Sequence, residues 1–67
     1  MYKYCVASVY VNLEGATVSY YAYSNDAYGL HLEDINNENV IWYNTANEAK
    51  KAIWNDNECI ISKYFDN

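Results

Sequence analysis

The chain has 67 residues, 52% of them hydrophobic, and its nine acidic residues stand against four lysines and no arginine, which gives a net charge of −5. Binding to a nucleic-acid backbone requires clustered basic side chains, so this charge argues against nucleic acid as a direct ligand. It favours a basic protein surface as partner, such as the groove of a nucleic-acid enzyme. The length predicts a single domain, residues 1–67, with a thin core.

No segment predicts a membrane span or an export signal. The apolar stretches are shorter than the roughly 18 residues that a span requires. The N-terminal sequence MYKYCVASVYVN alternates in polarity, unlike the apolar run of a signal peptide. We therefore expect a cytoplasmic protein.

Two alternating segments predict an N-terminal hairpin. Residues 3–13 and 16–24 have the two-residue period of strands, and LEGA joins them as a turn in which Gly15 can take a positive φ. Pairing Ala7 with Ala22 gives one small and apolar face, comprising Cys5, Ala7, Val9, Val11, Leu13, Ala16, Val18, Tyr20 and Ala22. The other face collects Tyr4, Val6, Ser8, Tyr10, Thr17, Ser19, Tyr21 and Tyr23. A slip of one residue would mix the two faces, so we predict this register and place Tyr20 in the core.

The remaining chain predicts three more strands and one helix. SNDAYG (24–29) is a turn, and the next strand directs Leu30 and Leu32 inward. INNEN (35–39) is another turn, followed by a short strand at 40–43. A last strand covers residues 58–65, and both tryptophans, Trp42 and Trp54, are expected in or beside the core.

The helix is predicted from its capping residues and its period. Thr45 and Glu48 have the spacing of a capping box. The residues that follow at helical spacing are small or apolar: Ala46, Ala49, Ala52 and Ile53. NDN at 55–57 ends the helix.

The predicted order ββββαβ indicates a two-layer α+β domain, with an antiparallel sheet of four to five strands and one helix packed on one face. We expect the helix to lie on the small-residue face of the first hairpin. The tyrosine face would then remain uncovered.

The two cysteines allow two interpretations. Cys5 and Cys59 are either small buried thiols or the two halves of a disulfide. A secreted chain of this size usually has four or more cysteines, which favours the thiols.

The sequence contains few candidates for catalysis or metal binding. His31 lies between two leucines and is expected on the opposite, solvated face, without a partner for catalysis. Asp34-x-Asn36-x-Glu38 resembles the start of a calcium loop but lacks its glycine and its final glutamate. Cys5, Cys59 and His31 are too few and too scattered for zinc. We therefore predict no enzyme activity, no cofactor and no metal.

The tyrosines provide the strongest functional signal. Tyrosine offers a large, rigid contact surface at low entropic cost and is enriched in binding hot spots. Packing between neighbouring strands is the alternative explanation for any single tyrosine. The predicted partner-binding residues combine the tyrosines with acidic residues of the turns: Tyr4, Tyr10, Tyr21, Tyr23, Asp26, Tyr28, Glu33, Asp34 and Glu38.

In its general character the chain resembles the small acidic proteins that phages and mobile elements encode against bacterial defence, of which anti-CRISPR proteins are the best-known class. The shared features are the short length, the acidity and the TANEAKKAI helix within a compact sheet. The resemblance implies inhibition by binding to a host nucleic-acid enzyme, such as a CRISPR–Cas effector. It assigns no role to an individual residue.

A second hypothesis is structural. The tyrosine face would be buried in a symmetric homodimer that serves as a scaffold or small regulator.

Overall fold

The computed structural model describes residues 1–66, in which the chain forms one antiparallel sheet and one short helix. The elements are β1 (Tyr2–Asn12), β2 (Thr17–Asp26), β3 (Gly29–Asp34), α1 (Ala46–Lys51) and β4 (Glu58–Tyr64). The four strands lie in the order β3-β2-β1-β4, and every neighbouring pair is antiparallel. This is an α+β arrangement.

The predicted register of the first hairpin is confirmed. Ala7 lies opposite Ala22, Val9 opposite Tyr20, and Val11 opposite Val18. Its turn lies at residues 13–16, as predicted, but Ala16 rather than Gly15 takes a positive φ, of 50°. The Asn12 side chain stabilises the turn by accepting the amides of Glu14 and Gly15, at 3.0 and 3.2 Å.

The predicted strand at 40–43 is wrong, so the observed order is βββαβ. Val40 forms an isolated bridge with Ser24 of β2, and Tyr43 forms another with Tyr4 of β1. The Tyr43 bridge has two backbone hydrogen bonds, at 2.9 and 2.7 Å. The segment therefore contacts two different strands, and this prevents a continuous ladder with either.

These bridges exist because β1 divides its length between two partners. Residues 2–8 pair with β4, whereas residues 7–12 pair with β2. On the side of the Ala7–Ala22 pair away from the hairpin turn, β1 and β2 are no longer hydrogen-bonded to each other. Residues 40–43 lie between the two strands there. Ser24 pairs with His31 of β3 along one edge of β2. Its bridge with Val40 therefore lies along the other edge, which faces β1.

The main core cluster lies on the small-residue face, near this junction. Cys5, Ala7 and Ala22 are completely buried, and Val40 is nearly so. The side chains that pack against this cluster are Ile35, Trp42 and Ile61. Trp42 thus contacts the core as predicted, but Trp54 is 75% exposed.

Helix α1 begins as predicted but has a different location. The Thr45 hydroxyl accepts the Glu48 amide at 3.2 Å, and Ala49 is fully buried. Just after α1, Ala52 and Trp54 line a cavity of about 180 Å³ together with Val6 and Tyr23. Val6 and Tyr23 belong to the tyrosine face, so the expected position of the helix on the opposite face is wrong.

The helical part of residues 1–66 has neither the length nor the apolar character that crossing a bilayer would require.

Both cysteines are free thiols, as the first of the two interpretations predicted, although Cys59 is only half-buried. Burial, with a smaller contribution from Cys59, raises the pKa of the Cys5 thiol to about 11. We therefore expect Cys5 to resist a thiol reagent at mildly alkaline pH while the protein is folded, because the reactive thiolate is scarce. In denaturant without reductant, two thiols per chain should react. Fewer than two would indicate a Cys5–Cys59 disulfide and contradict the structure.

Candidate functional site

The end of the first hairpin extends beyond the rest of the sheet. The ladder between β1 and β4 ends at Ser8, and the ladder between β2 and β3 begins at Tyr21. We call residues 9–20 the hairpin arm. Within the described residues, the outer edges of this arm are not part of any strand ladder, and its two faces differ in chemistry.

On one face of the sheet, where the arm begins, Tyr10 and Tyr21 form an exposed pair. The rings of Tyr10 and Tyr21 meet edge to face, with centroids 5.3 Å apart and planes at 82°. Their exposed fractions are 53% and 37%. They lie in an open groove of about 510 Å³, the tyrosine groove, lined by Tyr10, Val11, Asn12, Thr17, Ser19, Tyr21 and Leu32.

The leucines of β3 lie on the tyrosine face, although the sequence predicted them inward on the opposite side. Leu32 pairs with Tyr23, so the two side chains share a face. Leu32 is half-buried in the groove, and Leu30 is 50% exposed. The groove therefore combines aromatic, aliphatic and amide or hydroxyl groups, a mixture suited to protein contacts.

Tyr4 and Tyr23 share this face but lie outside the groove. Tyr4 is half-buried where β1 meets Tyr43. Tyr23 is half-buried, and its hydroxyl donates a hydrogen bond to Glu58. The expectation of an entirely uncovered tyrosine face is therefore wrong, because Ile41, Tyr43, Ala52 and Trp54 cover its part around Val6 and Tyr23.

The buried Glu58 carboxylate holds this covered part together. It accepts the amides of Trp54 and Asn55, at 2.6 and 3.0 Å, in addition to the Tyr23 hydroxyl. Burial alone would raise the pKa of Glu58, but the hydrogen bonds from Tyr23, Trp54 and Asn55 outweigh it and hold that pKa below its usual value. The carboxylate links the chain after α1 to both β2 and β4.

The opposite face of the arm is apolar and exposed, although the sequence predicted it as core. Val9, Val11, Val18 and Tyr20 are 42%, 60%, 52% and 43% exposed. We call these four residues the valine face. They remain uncovered because the helix lies on the other side of the sheet. On this side, Ile35, Val40 and Trp42 cover only the part of the sheet near Ala7 and Ala22.

The predicted acidic contact residues do not form one surface. Asp34 pairs with Tyr21 and is exposed beside the tyrosine groove. Asp26 and Glu33 lie on the opposite face, next to His31. Tyr28, at the β2–β3 turn, is 93% exposed, and Glu38 is exposed in the following loop.

His31 has charged partners that sequence reasoning missed. Its Nε2 lies 2.9 Å from Glu33 Oε1 and 3.4 Å from Asp26 Oδ2, while its Nδ1 lies 2.9 Å from the Gly29 carbonyl oxygen. The hydrogen bond to Gly29, followed by that to Glu33, raises the pKa of His31. Two signals could have revealed the cluster: His31 and Glu33 are two apart on one strand, and a two-residue turn pairs Asp26 with Gly29.

No family model matches this chain, and neither the curated proteins nor the solved structures include a similar one. The features that bear on function are therefore the tyrosine groove, the valine face and the charges around them.

We expect Glu58→Gln to lower the free energy of unfolding by about 1–3 kcal/mol, because an amide cannot replace a buried carboxylate that accepts three hydrogen bonds. Since the pKa of Glu58 is lower in the folded than in the unfolded chain, its contribution is present above the unfolded pKa and is lost as the pH falls through the folded pKa. Urea denaturation at decreasing pH measures both effects. Glu14→Gln, in the exposed β1–β2 turn, is the control with the same change of charge. Equal stability of the two variants would contradict this role for Glu58.

Proposed function

We propose that this protein acts without catalysis, by docking its tyrosine groove on a protein partner. The observation that carries the proposal is the Tyr10–Tyr21 pair, which is exposed where the arm joins the rest of the sheet. The two rings are held against each other and against the sheet, so little conformational freedom remains to be lost on binding. Tyrosines with this preorganisation are typical anchors of protein interfaces.

The charge around the groove favours a basic partner. Asp34 lies beside Tyr21, and Glu14 lies in the turn at the tip of the arm. The lysines are elsewhere: Lys50 and Lys51 are in α1, and Lys3 and Lys63 lie near the Phe65 ring. With a net charge of −5, the protein would be attracted to a surface rich in lysine and arginine. Arginine side chains can also stack on tyrosine rings.

The specific form of the proposal is an inhibitor, encoded by a phage, of a host nucleic-acid enzyme such as a CRISPR–Cas effector. Such an enzyme has a basic groove for its substrate, and an acidic protein bound there would exclude the nucleic acid. The support is the acidity of the chain, the uncovered groove and the resemblance to anti-defence proteins. The inhibitor would act in the cytoplasm of the host.

A homodimer is the second candidate function, and the valine face favours it. The sequence suggested burial of the tyrosine face in such a dimer. In the structure the valine face is the more apolar of the two exposed faces of the arm. Two copies related by a twofold axis could cover this face and leave the tyrosine groove free.

We expect the double variant Tyr10→Ala/Tyr21→Ala to lose the partner that the wild-type protein captures from a bacterial lysate, because both anchors of the groove are removed. The captured protein should be a nucleic-acid-processing complex, and raising the salt concentration should weaken its binding. Quantitative mass spectrometry of the captured proteins provides the measurement.

Tyr28→Ala is the matched control, since this tyrosine is 93% exposed but lies at the other turn. Equal capture by all three proteins, or capture of no complex by the wild type, would contradict the proposal. Light scattering tests the second candidate: a monomer at micromolar concentration excludes the dimer, and a dimer that Val18→Asp dissociates supports it, because Val18 belongs to the valine face and does not line the groove.

A further inference from the structure

One cluster of side chains has no part in the proposed docking. Asp26 at the end of β2, and His31 and Glu33 on β3, place one ligand atom each within 4.8 Å of one another. The turn between β2 and β3 creates this arrangement, because it pairs Asp26 with Gly29 and Ser24 with His31. All three side chains lie on the face opposite the tyrosine groove.

The distances fit a metal ion. Zinc bonds to nitrogen and oxygen of about 2.0–2.1 Å, at tetrahedral angles, place neighbouring ligand atoms about 3.3 Å apart. His31 Nε2 lies 3.4 Å from Asp26 Oδ2 and 2.9 Å from Glu33 Oε1. The His31–Glu33 contact would have to widen by a few tenths of an ångström to reach this spacing, and the Glu33 side chain is 40% exposed. The Asp26 and Glu33 oxygens lie within 4.8 Å of each other.

Outer hydrogen bonds orient two of the three ligands. A carbonyl oxygen only accepts, so the contact with Gly29 at 2.9 Å places a hydrogen on Nδ1 of His31. In the neutral ring Nε2 then carries the lone pair, and it faces two carboxylates. The second oxygen of Asp26, Oδ1, accepts the Tyr28 amide at 2.8 Å and so directs Oδ2 towards the ring.

We propose that Asp26, His31 and Glu33 bind a divalent transition-metal ion, with zinc as the ion that the donor set and the spacing fit best. An imidazole nitrogen favours zinc and its neighbours in the first transition series over magnesium or calcium, which prefer oxygen ligands. A backbone carbonyl that orients the second ring nitrogen is the usual companion of a ligating histidine.

The three residues leave at least one coordination position for water or for a donor from another molecule. Their side chains are 23%, 31% and 40% exposed in the order Asp26, His31, Glu33, so the ion would be accessible from solvent. The bound ion would also join β2 to β3 and stabilise the fold by mass action.

The test is calorimetric titration of the purified protein with zinc at neutral pH, together with proton NMR. His31 is the single histidine of the chain, so its ring signals report on the site without overlap. We expect one zinc ion per chain, a shift of the His31 ring signals, and a loss of affinity of about tenfold or more in His31→Gln and in Glu33→Gln. The control is Asp34→Asn, which removes a charge from the next position of β3 on the opposite face.

The free thiols are competing ligands for zinc, so the titration is repeated with Cys59→Ala. Retained binding in this variant and in Asp34→Asn supports the site. Absence of zinc binding to the wild-type protein, unchanged affinity in His31→Gln, or loss of binding in Cys59→Ala would each overturn it. Circular dichroism of every variant confirms that the fold is intact.

Discussion

The structure depends on how β1 divides its hydrogen bonds between two neighbours. Its first residues pair with β4 and its last with β2, and the two ladders overlap at Ala7 and Ser8. Ala7 is fully buried and Ser8 is 6% exposed. On one side of this junction residues 40–43 enter between β1 and β2 and complete the core. On the other side the hairpin continues alone as the arm, which carries both uncovered faces.

The covered and uncovered parts of the sheet follow from the lengths of the elements. An eleven-residue strand spans about 37 Å, whereas the six-residue helix α1 is about 9 Å long. One such helix cannot cover a whole face. Glu58 fixes the chain after α1 over the part of the tyrosine face near β4, through the amides of Trp54 and Asn55. Tyr10 and Tyr21 are too far along the hairpin to be covered in the same way.

Local sequence patterns predicted the elements better than their packing. Alternation and the penalty for a one-residue slip determined the register of β1 with β2, and Thr45 predicted the start of the helix. Residues 40–43 have the composition of a strand, but they contact Ser24 and Tyr4 on different strands, and no local pattern encodes that.

The candidate site was predicted in part. Tyr10 and Tyr21 have the exposed positions that alternation indicated, whereas Val18 and Tyr20 are exposed although their face was expected to be core. That error has a physical cause, because hydrophobic alternation does not say which face a short helix covers. The Asp26–His31–Glu33 cluster depends on the exact pairing across the β2–β3 turn, which composition alone does not determine.

The most direct test of the account is photo-crosslinking in a bacterial lysate from a benzophenone side chain placed at position 10, 21 or 28. The account predicts that positions 10 and 21 crosslink to the same foreign polypeptide, because both line the groove proposed as the docking site. Position 28, which is more exposed than either but lies at the other turn, should give no such product. Adducts formed only between two copies of this chain, or formed equally from position 28, would contradict docking through the tyrosine groove.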